Sequence, residues 1–339
     1  MVLGSVTNPP QTHVSHNLGR TQIGVEPFDV GYGAGYEAGE ESPKDMECEL
    51  VEDEGDFRVH RPAAEDRPRR LAFVDGTMRT DARLTRTDEN GVTVSGLAGS
   101  WGAGAALNKD GALSIERVQV GRATFFGGGQ TVRLPDRTNG WSWDAYSEES
   151  DDFESLRRRL QRCMREAEGL IADELSGEGW LAVVDGPLHS IRRSRGVPVV
   201  GYVKTHHRRM LADEFWRRVP LLSRGERSGL FAIGDDVYGC YLRIGDAGPW
   251  AGPWAGIVRV EVPAGAGRQE AIEVAGRASA WLPEYASALH RDARAPVNLT
   301  PIAGLERHLR RLQGNPRLAL RAVREAVLEL NASSEATQQ

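Results

Sequence analysis

The chain has 339 residues, 40% of them hydrophobic, and carries a formal net charge of −6 at pH 7. This length allows one large domain or two modest ones, and the acidic balance excludes a protein that coats nucleic acid through overall positive charge. The three cysteines, Cys48, Cys163 and Cys240, show neither a zinc-binding spacing nor a disulfide framework, so we expect reduced thiols and a cytoplasmic protein. Without a long apolar run or a signal-peptide pattern, we expect no membrane span.

The first 66 residues are interpreted as an extended amino-terminal arm. Residues up to about 25 are polar and without periodicity, which indicates disorder. The glycine- and tyrosine-rich stretch 28–45 lacks the Gly-Lys-Ser/Thr of a phosphate loop, and one strand is predicted within 46–59. We therefore predict a partly disordered arm over 1–66, a compact domain over 67–330 and a disordered tail over 331–339.

The compact domain opens with strand signals. The apolar run 71–75 is closed by glycine, which is typical of a buried strand that stops abruptly. Alternation over 81–85, the Asn90-Gly91 turn signal and alternation over 92–95 predict a strand–turn–strand unit. Residues 127–150 are rich in Gly, Asp, Ser and Trp and are predicted to form a loop.

The most regular segment is 151–175, where apolar residues recur every three or four positions, as in an amphipathic helix. Further strands are predicted over 180–184, 197–203, 230–233, 238–244 and 254–262, and further helices over 268–281, 302–312 and 316–330. Strands first, then helix–strand alternation and then helices indicate an α/β fold, with a mixed sheet flanked by helices.

Two of the predicted strands end in Asp-Gly, at Asp75-Gly76 and at Asp185-Gly186. An Asp at the carboxyl end of a strand lies at the ligand-binding edge of an α/β sheet, so neighbouring strands would bring Asp75 and Asp185 together. Carboxylates this close raise each other's pKa unless a cation lies between them, and oxygen ligands suit Mg²⁺ or Mn²⁺. The pattern predicts phosphoryl-transfer or phosphodiester chemistry. Asp-Gly is also a common turn signal, and that interpretation stays open.

A third carboxylate comes from the 151–175 helix. On a helical wheel Glu168 falls at the edge of the apolar face, whereas Glu166 lies further towards solvent. Glu168 is therefore the candidate third metal ligand; the alternative is a solvated helix glutamate.

Basic residues follow two of the predicted strands. Arg192 and Arg193 come shortly after Asp185, and Lys204 closes the strand over 197–203. Such residues can neutralise DNA phosphates beside a metal site, although basic runs are also common on solvated faces. His206 and His207 are alternative metal ligands, but adjacent side chains of a strand or helix point to different sides.

An ordered set of segments resembles the NurA nucleases over roughly residues 68–330. The resemblance is carried by the segments 73–77, 184–188 and 196–204, by Pro296, and by Asn298-Leu299, Pro301-Ile302 and Leu305-Glu306. It implies a ribonuclease H-like (Piwi-like) fold and a Mn²⁺-dependent (or Mg²⁺-dependent) nuclease acting on DNA. The implied activities are 5′-to-3′ exonuclease and single-strand endonuclease, in DNA end processing. The implied partners are a second copy of the chain and a hexameric HerA-type ATPase translocase.

The resemblance also implies roles for individual residues. Asp75, Glu168 and Asp185 match the catalytic, metal-binding carboxylates of the family, and we expect Lys204 to orient the scissile phosphate.

The chain departs from the family near its carboxyl end. Ala295-Pro296 stands where archaeal members often have Tyr-Pro, and no histidine occupies the matching position. Asn298 and Glu306 offer oxygen ligands in its place, and His308 is a further candidate. Glu306 is taken as the fourth metal ligand.

Two other functions stay open from the sequence. The missing Tyr/His pair and the long arm would also suit a catalytically weak adaptor that guides DNA to a motor ATPase. A phosphatase or sugar-kinase-like enzyme ranks last, because the Asp-x-Asp of haloacid dehalogenases is absent at Asp75-Gly76-Thr77.

Overall fold

The computed structural model describes residues 22–27, 45–62, 68–138, 140–188, 199–206, 208–248, 251–265, 267–290 and 295–337. Within these ranges one sheet carries all the strands. The strands are β1 Gln22–Pro27, β2 Val59–His60, β3 Arg70–Thr87, β4 Thr93–Lys109, β5 Ala112–Phe126, β6 Asp144–Ser147, β7 Leu181–Asp185, β8 Val199–Val203, β9 Arg227–Ser228, β10 Phe231–Ile233, β11 Val237–Arg243 and β12 Ile257–Pro263. The helices are α1 Phe153–Gly177, α2 Asp213–Trp216, α3 Arg268–Trp281, α4 Thr300–Leu312 and α5 Pro316–Thr337.

The sheet is mixed, which confirms the α/β prediction. Its order is β2-β9-β11-β12-β8-β7-β3-β4-β5-β6, with β1 paired to β3 and β10 to β11. Strands β3, β4 and β5 are antiparallel neighbours, whereas β7 lies parallel to β3 and β8 parallel to β7. The helix α1 lies between β6 and β7 in the chain. Parallel neighbours such as β3 and β7 need a long connection of this kind, because a tight turn can join only antiparallel strands.

The strand that carries Asp75 is far longer than the sequence predicts. The expectation that it stops at Asp75-Gly76 is wrong, because β3 continues to Thr87. Its backbone keeps pairing with β4 through this region, with Asp75 opposite Gly104 and Gly76 opposite Ala103. Only the parallel partner β7 ends here, at Asp185.

The helix α1 confirms the strongest sequence prediction. Asp152 caps it by accepting hydrogen bonds from the backbone N–H groups of Glu154 and Ser155 at 3.0 and 3.1 Å, as an N-cap residue does. The apolar positions of its periodic pattern, including Leu156, Leu160, Ile171 and Leu175, are buried. This face packs on the central strands of the sheet.

The strands β4 and β5 were largely missed from the sequence. Much of β4 is Gly and Ala, residues that are poor strand formers. The structure shows why small residues stand there. A Cβ on Gly102 would lie 3.5 Å from the Cβ of Leu309, and one on Gly104 would lie 3.3 Å from Cδ1 of Leu305. A Cβ at Gly102 would make an ordinary van der Waals contact, so Gly104 is the glycine of this pair that gives Leu305 of α4 its room against the sheet.

The structure differs from several predictions for the two ends of the chain. Residues 22–25, expected to be disordered, belong to β1, which pairs with the far end of β3. The strand predicted within 46–59 is wrong, since this segment forms a bridge at Leu50, a 3₁₀ turn over Asp53–Gly55 and the start of the short β2. Helix α5 extends to Thr337 into the predicted tail. Residues 1–21 and 28–44 of the arm lie outside the described residues.

A buried ion pair holds the described part of the arm on the sheet. The guanidinium of Arg227 donates to both carboxylate oxygens of Glu52, at 2.7 and 3.0 Å, and the backbone N–H of Leu230 donates to Glu52 at 2.9 Å. Backbone pairing and this bidentate contact hold the segment around Glu52 in place, although its own sequence shows no clear helix or strand pattern.

The cysteines are all free thiols, with Cys163 and Cys240 buried and Cys48 half-buried. Burial raises the pKa of the Cys240 thiol to about 12, so it remains protonated at neutral pH. Among the described residues, no helix combines the length and the apolar character that crossing a bilayer would take.

Candidate metal centre

The parallel pairing of β3 and β7 places two carboxylates side by side. The last paired positions are Val74 and Val184, so Asp75 and Asp185 follow on adjacent strands. Neighbouring strands lie about 4.8 Å apart. The expectation that the two Asp-ended runs are neighbours is therefore confirmed.

A third carboxylate enters from α4. One carboxylate oxygen each of Asp75, Asp185 and Glu306 lie within 4.8 Å of one another. Glu306 is held against the sheet because Leu305 and Leu309, on the same helix, pack over the glycines of β4. Three hard oxygen donors at this separation suit Mg²⁺ or Mn²⁺.

The most buried carboxylate of this group is that of Asp75, which is only 5% exposed. Burial raises its pKa well above 3.8, and the charges of Asp185, Glu168 and Glu306 raise it further, while Lys204 lowers it. Its Oδ2 atom has no hydrogen-bond partner among the described residues. A buried, unpartnered carboxylate oxygen is costly unless a cation meets it, so these residues fit a divalent ion.

Glu168 lies beside this group of three rather than within it. It is 1% exposed, and its Oε2 accepts a hydrogen bond of 2.8 Å from Nη1 of Arg165. Burial raises the pKa of Glu168, Arg165 opposes this shift, and Asp185 adds to it. Glu168 is therefore buried on the sheet side of α1, in agreement with its position at the edge of the apolar face on the helical wheel. The compact set of three carboxylates, however, takes Glu306 as its third member.

Arg165 is a residue of the site that the sequence reasoning missed. Besides Glu168, its Nη1 donates to the backbone oxygen of Asp185 at 2.7 Å. Burial alone would lower its pKa, but the charges of Glu168, Asp75 and Asp185 raise it overall, so the guanidinium stays charged. Its position three residues before Glu168, on the same helix face, is the signal that could have identified it.

Lys204 also contacts the acidic group. Its Nζ donates to the carboxylate of Asp185 and, at 3.2 Å, to Oδ1 of Asn298. Asn298 is buried and lies just before α4. The predicted catalytic residues Asp75, Asp185 and Lys204 are thus brought together, with Asn298 beside them.

A comparison of the sequence with protein families identifies the family of this chain. The family model of the NurA domain matches residues 66–307, a range that contains Asp75, Glu168, Asp185 and Glu306. The chain belongs to the NurA family. Among solved structures, the NurA nuclease from Sulfolobus solfataricus is similar, with a TM-score of 0.40 and 10% identity over 82% of this chain and 88% of that chain. The family assignment rests on the domain match. No curated protein matches the sequence.

The structure does not bring the remaining candidates of this NurA chain into the site among the residues that it describes. Arg192, Arg193 and His207 are outside the described residues. The Nε2 atom of His206 lies 3.0 Å from the backbone oxygen of Ile257, and its ring packs 5.2 Å from that of Trp254. His206 thus belongs to an aromatic cluster.

Proposed function

We propose that this NurA-family chain is a metal-dependent deoxyribonuclease that hydrolyses phosphodiester bonds. The observation that carries the proposal is the group of three carboxylate oxygens within 4.8 Å, which includes the buried Asp75. Family membership supports it, and the similar protein from Sulfolobus solfataricus is described as a nuclease.

We infer that Mn²⁺ or Mg²⁺ is the cofactor. Asp75, Asp185 and Glu306 would hold it, with Glu168 as the neighbouring carboxylate that completes the predicted set. When bound, such ions lower the pKa of a water and stabilise the leaving oxygen of a phosphodiester. The acidic group can accept such ions only in its ionised form, because protonated carboxyls are poor ligands.

The cationic side chains would handle the substrate phosphate. Lys204 already lies at the carboxylate of Asp185, so a small rotation of its flexible stem would present Nζ to a phosphate oxygen. Asn298 would hold that ammonium in place from the other side. Arg192 and Arg193 are proposed as further phosphate contacts.

The strand order supports a ribonuclease H-like (Piwi-like) fold. Three antiparallel strands, β3, β4 and β5, are followed by the helix α1 and then by the parallel strands β7 and β8. The resulting order β5-β4-β3-β7-β8 forms the centre of the sheet. We propose that this unit is the nuclease core and that the other strands extend it.

We further propose the finer activities that the family resemblance implies. These are 5′-to-3′ exonuclease and single-strand endonuclease activity, in DNA end processing by a homodimer with a HerA-type hexameric ATPase. A catalytically weak adaptor of the same motor is the alternative, and the experiment below separates the two.

The test is cleavage of linear single- and double-stranded DNA, labelled at the 5′ or the 3′ end, with Mn²⁺, Mg²⁺ or EDTA. We expect cleavage with metal, none in EDTA, and a loss of about 100-fold or more in Asp75→Asn, since metal stabilisation of the transition state contributes several kcal/mol. Glu168→Gln should lose activity, whereas Glu166→Gln, an exposed position on the same helix, should not.

Two results would contradict the proposal. Full activity of Asp75→Asn would remove the acidic group from the mechanism. No cleavage by the unaltered chain, repeated in the presence of a HerA-type ATPase, would favour the adaptor.

A further inference from the structure

The glycine of each Asp-Gly pair lies where α1 touches the sheet. A Cβ on Gly76 would lie 2.5 Å from Oε1 of Glu168 and 2.6 Å from Cγ of Met164. A Cβ on Gly186 would lie 3.2 Å from Nη1 of Arg165, and Gly186 also has a φ of +119°. The space beside both aspartates is therefore occupied by one Arg–Glu pair of α1.

This pair connects the two aspartate-bearing strands. Nη1 of Arg165 donates at 2.7 Å to the backbone oxygen of Asp185, the last residue of β7. The same atom donates at 2.8 Å to Glu168, which rests against the backbone after Asp75 on β3. The guanidinium is thus fixed by a backbone acceptor on one strand and, through Glu168, by contact with the other.

We propose that Arg165 is a positioning residue that sets the end of β7, and with it Asp185, relative to Asp75 and Glu168 for metal binding. The proposal rests on the proposed metal-dependent function. Arg165 is not one of the carboxylate ligands. It acts on metal affinity through the backbone of Asp185.

Two features of the geometry favour this role over a simple salt bridge. On the β8 side Asp185 and Gly186 remain paired with Tyr202, but pairing with β3 ends at Val184, so Arg165 supplies the contact towards β3 that strand pairing no longer provides. The guanidinium also adds a positive charge next to several carboxylates whose mutual repulsion would otherwise separate them. Second-layer contacts of this kind typically change metal affinity by 10- to 100-fold.

The test measures Mn²⁺ binding to the full chain by titration calorimetry, without DNA, beside thermal unfolding in EDTA. We expect Arg165→Met to weaken Mn²⁺ binding by about 10- to 100-fold. Arg165→Lys keeps the charge but not the planar fork, so we expect an intermediate loss. Arg162→Met is the matched control, because Arg162 lies on the same helix, is 58% exposed and pairs with Glu148 instead; its Mn²⁺ affinity should equal that of the unaltered chain.

A second readout separates positioning from substrate contact. Raising the Mn²⁺ concentration should restore much of the DNA cleavage of Arg165→Lys, because its defect lies in metal affinity. A variant that lost a phosphate contact, such as Lys204→Met, should not be restored in this way.

The possible failures are distinguishable. Wild-type Mn²⁺ affinity in Arg165→Met and Arg165→Lys would overturn the positioning role and leave the nuclease proposal standing. If Arg165→Met does not fold, the folded Arg165→Lys variant decides by the same measurement. Binding of neither Mn²⁺ nor Mg²⁺ by the unaltered chain would overturn both proposals together.

Discussion

Replacing Asp75 with Asn should make the metal-free protein more stable at neutral pH, although it removes a residue at the centre of the site. The pKa of Asp75 is raised well above 3.8 by burial and by the neighbouring carboxylates. The folded chain therefore holds this proton more tightly than the unfolded chain does. It follows that the free energy of unfolding falls as the pH rises from 3.8 through the raised pKa.

The magnitude follows from the spacing of the charges. Asp75 faces Asp185 and Glu306 with ligand atoms within 4.8 Å. At an effective dielectric constant of about 20, two unit charges at this distance repel by about 3.5 kcal/mol. Lys204 offsets part of this repulsion, and the wild type relieves more by keeping its proton. We expect Asp75→Asn to raise the free energy of unfolding by about 2 kcal/mol, or the Tm by about 4 °C.

The assay is thermal unfolding in EDTA at pH 8 and at pH 4, followed by circular dichroism. Asp81→Asn is the matched control, because Asp81 lies on the same strand and burial raises its pKa as well. Asp81 differs in its partners: it accepts a hydrogen bond of 2.6 Å from Arg79 and one from the hydroxyl of Ser100. Its replacement leaves Arg79 without a charged partner and should lower stability by about 2 kcal/mol.

Either of two results would show that the buried charge of Asp75 does not destabilise the metal-free protein. One is an Asp75→Asn protein no more stable than the wild type in EDTA at pH 8. The other is a gain that remains undiminished at pH 4, where the wild-type carboxyl is protonated. With Mn²⁺ at about 100 times its dissociation constant, the wild type should gain about 2.7 kcal/mol, so the order of stability should reverse.

Three further changes have defined outcomes. Mn²⁺ affinity, measured by calorimetry, should rise with pH because Asp75 must lose the proton that its raised pKa retains; a flat profile from pH 4 to 8 would contradict this. Gly76→Ala should lower the free energy of unfolding by about 1–3 kcal/mol and reduce DNA cleavage, because the new Cβ would lie 2.5 Å from Oε1 of Glu168. Wild-type stability and activity in this variant would show that Glu168 is not held there. Glu52→Gln should lower stability in urea by about 3 kcal/mol, because it leaves the charge of Arg227 buried and uncompensated, and a loss below 1 kcal/mol would count against a structural role for this pair.

Part of the fold was predictable because its signals are local. The 3.6-residue period of α1 and the cap at Asp152 can be found within a short window of sequence. The strands β7, β8, β11 and β12 were predicted from short apolar runs. These elements are specified by their own residues, and tertiary contacts then add to that preference.

Elsewhere the local signals failed for a physical reason. Asp75-Gly76 has the form of a turn, but Gly76 lies within a continuous strand and has no positive φ. The glycine is needed for space beside Glu168. The Gly/Ala-rich β4 was missed because small residues are poor strand formers, yet Gly99 leaves room for Leu160 of α1 and Gly104 for Leu305 of α4. In both places the residue type is decided by a distant helix.

The sequence by itself determined the two aspartates, the helix that carries Glu168 and the family to which they belong. The aspartates and the helix follow from residues close together in the chain, and the family follows from an ordered set of short segments. Only the tertiary structure decided that Glu306, a fourth ligand in the sequence prediction, lies closest to Asp75 and Asp185 with Glu168 beside them, and that Arg165 contacts the end of β7. These relations depend on how α1 and α4 dock on the sheet. Docking is the sum of many weak contacts between residues far apart in sequence, which no short pattern records.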